Sequence, residues 1–158
     1  MNLNPRLLWL IIGLLLLALA GVAVYKAWPV LFPPLEQRLA PDPDCNLRVG
    51  PCVTTLPDGG ELSLSIEPRN IPMVTPLHLQ VRLKGVKADA VEVDFSGVDM
   101  YMGYNRVPLE NQGDGLYQGE GRLPVCVYDA MEWEAQVLVK DSKGLLSVPF
   151  RFITVKGG

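Results

Sequence analysis

Leu77-His78-Leu79-Gln80-Val81-Arg82-Leu83 alternates apolar and polar residues without a break. Successive side chains of an extended chain point to opposite faces, so this period-two pattern is that of a half-buried β-strand. Leu77, Leu79, Val81 and Leu83 are expected inward, and His78, Gln80 and Arg82 outward. The same pattern recurs on both sides. Glu61 to Glu67 directs Leu62, Leu64 and Ile66 inward. Val91 to Phe95 does so with Val91, Val93 and Phe95, and Trp133 to Val139 with Trp133, Ala135, Val137 and Val139. Val148, Phe150 and Phe152 close the series.

Turn signals separate these runs at Pro57-Asp58-Gly59-Gly60, Gln112-Gly113-Asp114-Gly115 and Asp141-Ser142-Lys143-Gly144. Leu116 to Gln118 and Arg122 to Val127 offer one or two further strands. About seven short strands at this spacing predict an all-β domain, an immunoglobulin-like antiparallel β-sandwich, with Trp133 as a core aromatic.

The N-terminus has a different pattern. Leu7 to Tyr25 carries no charge. A helix of that length is about 28 Å long, close to the ~30 Å hydrocarbon core of a bilayer. Trp9 lies near one end, and Tyr25 and Trp28 near the other, where interfacial aromatics belong. Pro29, Pro33 and Pro34 are expected to stop the helix. The competing reading is a signal peptide cleaved after Ala18-Leu19-Ala20. Against it, the apolar run continues through Val24. The expected layout is a transmembrane anchor over 1–28, a Pro-rich linker over 29–44 with a helical turn around Leu35 to Leu39, and the β-sandwich over 45–158.

Charge narrows the function. Beyond Trp28 lie all 17 acidic residues against 12 of the 14 basic ones, a net −5. That balance and the lack of a basic stripe argue against nucleic acid as a partner. G-x-S-x-G, H-E-x-x-H and P-loop motifs are absent from the sequence, so we read the chain as non-enzymatic. A thiol-redox enzyme ranks last among the readings.

The three cysteines are Cys45, Cys52 and Cys126. Six residues separate the first two, enough to close a disulfide, and Cys52–Cys126 is a second pairing. A metal-binding or redox-active thiol is a third use of the odd cysteine. Disulfides belong to oxidising compartments. The charges flanking the helix are nearly balanced, so the cysteines orient the chain: N-terminus inside, β domain outside.

Asp99-Met100-Tyr101-Met102-Gly103-Tyr104-Asn105-Arg106 is the most unusual stretch. Met100 and Met102 point to one side of an extended chain, and thioether sulfurs suit Cu(I). Cys126, Met131 and His78 are the other candidate ligands, with Met73 a further option. The plain alternative is that these methionines fill gaps in the core. Tyr101, Tyr104 and Arg106 also suit a partner-binding surface, and Arg106 can pair with Asp94 or Asp99.

The series VDFSGVDMYMGYNRVPL (93–109), GDGLYQGEGRLPVCV (113–127) and MEWEAQVLV (131–139) resembles the membrane-anchored β-sandwich proteins of the FixH and YtkA-like families. The matching positions are Met100 and Met102, then Gly115 and Tyr117, then Trp133, within Val91 to Val139. The resemblance implies a single-pass protein of the cytoplasmic (inner) membrane with a periplasmic domain, engaged in copper handling or assembly of a haem-copper oxidase. Its partners would be the lipid bilayer through residues 7–25 and a membrane oxidase or metal transporter. The sequence departs from the pattern in its three cysteines and in lacking His-rich or long Met-rich tracts, which shifts a copper ligand set toward thiolate. The rival expectation is a metal-free structural or interaction module that contacts a membrane partner.

Overall fold

A computed structural model describes residues 4–31, 35–125, 128–142 and 144–155. The chain divides into two compact units, residues 1–34 and 35–158.

The first unit is helix α1 (Pro5–Leu31). Pro5 occupies the first helical position, where its missing N–H would have no partner anyway. The helix is apolar all round, and Pro5–Trp28 is long and apolar enough to cross a membrane. Contrary to the expectation from the sequence, Pro29 does not stop the helix, which continues to Leu31. A proline one turn from a helix end removes one hydrogen bond where few remain to be lost.

The second unit is a curled sheet of nine strands. They are β1 (Leu35–Arg38), β2 (Cys52–Thr55), β3 (Glu61–Glu67), β4 (Leu77–Lys84), β5 (Ala90–Gly97), β6 (Arg106–Gly113), β7 (Leu116–Gly121), β8 (Ala130–Asp141) and β9 (Gly144–Val155). Their spatial order is β1-β9-β8-β5-β6-β7-β4-β3-β2. Strand β6 makes the curl. Its first half pairs with β5, Leu109 opposite Val91, and its second half with β7, Glu110 opposite Gln118. The β9-β8-β5 and β7-β4-β3 portions contribute to one common core.

Every residue assigned inward by alternation is buried, from Leu62 on β3 to Phe152 on β9. Trp133 is fully buried, and its Nε1 donates to Thr154 Oγ1 at 3.0 Å, so the indole N–H does not go unpaired. Phe95 and Phe152 meet edge to face with centroids 6.4 Å apart.

The structure departs from the sequence reading before residue 61. Leu35–Arg38 is a strand, not a helical turn, and it runs parallel to β9, the one parallel ladder among the described strands. Leu39 N continues the pairing to Ser147 O at 3.0 Å. The open edge of β9 offers these residues backbone partners that a four-residue helical turn would lack. Leu47 is buried in the core. Arg122–Val125 is irregular, so the second suggested strand after Tyr117 is not formed over those residues.

Candidate functional site

Strand β5 ends at Gly97, and Val98 N still donates to Glu132 O at 3.0 Å, which holds the chain against β8. The chain then loops through 98–105 and returns as β6. Phe95 N to Asn105 O (2.9 Å) closes the base of this loop. Asn105 Nδ2 ties it to Arg122 O (2.9 Å) beyond β7. Arg106 pairs with Asp94 Oδ2 at 3.1 Å and lies 3.6 Å from Glu92 Oε2. Of the two sequence candidates for Arg106, Asp94 is thus the partner. The guanidinium also sits 5.4 Å from the centroid of the Tyr104 ring, a cation–π distance.

Gly97 is the point on which the Met102 and Met131 side chains converge. A β-carbon there would meet Met131 Cε, Met100 O at 2.5 Å and Met102 Cγ at 3.2 Å. Two thioether side chains, from β8 and from the loop, therefore occupy the space a side chain at Gly97 would fill. Met131 is buried, and Met100 and Met102 are half-buried against the core. Met73, in the β3–β4 loop, also packs on the core. Met102 further lines a shallow trough with Val74, Tyr104, Leu123 and Val125. On its rim Tyr104 (77% exposed) and Val125 (67%) face solvent, as does Tyr101 (87%) in the same 98–105 loop.

The other candidates lie elsewhere. His78 is on the outer face of β4, opposite Glu67 on β3 and Glu120 on β7, on the far side of the strand from the core. Cys126 lies outside the described residues. Cys45 and Cys52 form a disulfide with Cα atoms 5.5 Å apart, which settles the pairing left open by the sequence. Among the described residues, no three of His, Cys, Asp and Glu gather as a metal site.

Three features were not singled out from the sequence. One is Gly97 itself, although a glycine at the end of an apolar strand signals close approach by another group. The second is Glu134, 5% exposed on the outer face of β8, held by Arg38 (2.6 Å), Gln136 (2.8 Å) and Arg151 (3.3 Å). The third is Arg48, whose Nε is buried without a hydrogen-bond partner. No family model, curated protein or solved structure matches the chain.

Proposed function

We propose that the chain is a membrane-anchored accessory protein that handles Cu(I) through thioether ligands on its periplasmic β unit, in the service of a haem-copper respiratory oxidase. The observation that carries this reading is the meeting of the Met102 and Met131 side chains over Gly97, with the Met100 backbone carbonyl beside them. Helix α1 serves as the single-pass anchor, by length and composition. The Cys45–Cys52 bridge supports an oxidising compartment. In outline, the curled sheet is read as an immunoglobulin-like antiparallel sandwich, because strands from both halves of the curl cover one core.

The donor set fits the ion. Thioether sulfur is soft and neutral, and selects Cu(I) over Mg(II), Ca(II) or Mn(II), which prefer oxygen. Met100, Met102 and Met131 would hold it. Bound there, Cu(I) supplies no reaction on the protein; it is carried. Thioethers hold no proton to lose, whereas a thiolate ligand such as Cys126 makes affinity depend on pH.

The test is a Cu(I) competition titration of the full chain in detergent against a chromogenic chelator, from pH 6 to 8. One equivalent bound more tightly than about 1 μM is expected, without pH dependence. The Met100→Leu/Met102→Leu variant conserves volume, so it should fold at a cost below ~1.5 kcal/mol per site while losing at least about tenfold in affinity. Equal uptake by wild type and variant, or none by either, overturns the reading.

A second reading rests on Tyr104 and Val125 exposed at the trough and on Tyr101 exposed in the same loop as Tyr104. They suit a metal-free interaction module that contacts a membrane partner, since exposed aromatics anchor interfaces. Absence of copper uptake would leave that reading standing.

A further inference from the structure

We infer that the uncovered edge of β9, from Pro149 to Val155, takes up an extended, largely apolar segment of a protein partner as an added β-strand, separately from the methionine site. β1 pairs with β9 only as far as Ser147. Ser147 O accepts from Leu39 N across the outer edge. The β8–β9 register runs without a shift, so alternate residues of β9 point their backbone groups the same way. Pro149, Arg151, Ile153 and Val155 therefore face outward with Ser147, while Phe150 and Phe152 bond to β8. Among the described residues, no backbone group pairs with this edge beyond Ser147.

The sequence itself leaves the edge open. After Leu39, the next two positions whose N–H would point at β9 are 41 and 43, and both are proline. β1 cannot lengthen its ladder there, and the chain turns away. Pro149 lacks only a donor that would have pointed out of the sheet, where proline is tolerated. Arg151 and Ile153 keep both N–H and C=O, so the edge still presents donors and acceptors at the spacing of a strand.

A groove of about 570 Å³ lies between these residues and the loop over 43–48. Arg151 and Ile153 from the outer face of β9 and Phe152 from its core face all line it, so it follows the edge of the strand. At the rise and spacing of a strand it has room for about four extended residues. The unpaired backbone groups select an extended chain, as in other added-strand complexes. The charged walls carry both signs, Arg48 and Arg151 against Asp44 and Glu132, and select no charge. Beside them the surface is apolar, with Phe152 on one side and exposed Ile153 (56%) and Val155 (44%) along the outer face. Apolar, β-branched side chains fit there as cross-strand neighbours. The far wall is fixed by the Cys45–Cys52 bridge and by Leu47 in the core. That wall leaves space for one strand and not for the edge of a second sheet, so the occupant is a single segment rather than another copy of this chain.

The experiment follows backbone amides of the full chain in detergent, labelled with nitrogen-15, by hydrogen exchange. In the free protein Arg151 and Ile153 should exchange fast, and Phe150 and Phe152, bonded to β8, slowly. The probe is a blocked Thr-Val-Thr-Val-Thr peptide. It is expected to slow exchange at Arg151 and Ile153 saturably, by at least about tenfold, and far less at Phe150 and Phe152. The same peptide with its amide nitrogens methylated cannot donate to the ladder and should give no protection. Ile153→Pro removes one outward donor without touching the bonds to β8, and should abolish the protection at Arg151. Protection of Arg151 and Ile153 before any peptide is added would mean that this chain or a second copy already fills the edge, and overturns the inference. So does a lack of protection at every peptide concentration, or equal protection by the methylated peptide. The methylated control leaves the protein untouched, so the result stands however the variant folds.

Discussion

At Gly97, a missing side chain decides what its neighbours can do. The space is taken by Met131 Cε and Met102 Cγ, and the Met100 carbonyl oxygen lies 2.5 Å from where a β-carbon would stand. The Met131 methyl tip is flexible and can move aside; the backbone carbonyl cannot without shifting the loop. Gly97→Ala is therefore expected to cost about 1–3 kcal/mol, as other overpacked sites do. The readout is a lower denaturant midpoint at unchanged slope. A neutral result would mean that the loop yields freely and that the methionines are not held in place. Residues facing the core were legible because period-two alternation depends only on backbone geometry, and Leu79, Phe95 and Trp133 are buried as it requires. The convergence on Gly97 was not legible. It joins residues 97, 102 and 131, and no local pattern links positions so far apart in the chain.

Strand β2 and the loop before it show what the disulfide does at the level of an element. β2 has four residues, lies at the end of the sheet, and among the described strands pairs only with β3, Cys52 opposite Leu64. So short an edge strand has few backbone hydrogen bonds to hold it. The bridge from Cys52 to Cys45 shuts a loop with a sequence separation of 7, and Leu47 within that loop fills the core. Closing a loop of this size removes unfolded-state entropy worth about 2.5 kcal/mol. Replacing both cysteines by Ala should lower stability by about that amount. Hydrogen exchange should show the loss first at the β2–β3 ladder, while the β8–β9 amides keep their protection. Uniform loss across all strands would show instead that β2 opens only with the whole unit. The spacing of Cys45 and Cys52 made the bridge legible. The strand at Leu35–Arg38 was hidden, because local sequence cannot report the open β9 edge that recruits it.

On the scale of the whole β unit, the sheet ends on both sides in four-residue strands, β1 and β2. Strands so short offer little template of their own for pairing with another chain. β1 joins its edge through a parallel ladder to β9, and Arg38 reaches past β9 to Glu134 on β8. Glu134 also receives Arg151 and Gln136, so one buried carboxylate links β1, β8 and β9. The three donors make its burial tolerable, and their loss is unequal in cost. Arg38 and Arg151 are about half exposed and can return to water when unpaired. Glu134 has no such route. Arg38→Met should then cost less than about 1 kcal/mol, because Arg151 and Gln136 still satisfy the carboxylate. Glu134→Ala removes the shared acceptor and leaves a cavity on the sheet, for an expected loss of about 2 kcal/mol. Denaturant unfolding of the two variants should therefore rank Glu134→Ala well below Arg38→Met. The reverse order would locate the stabilisation in the packing of Arg38 across β9, and the carboxylate would then be an accompaniment to that packing rather than its cause.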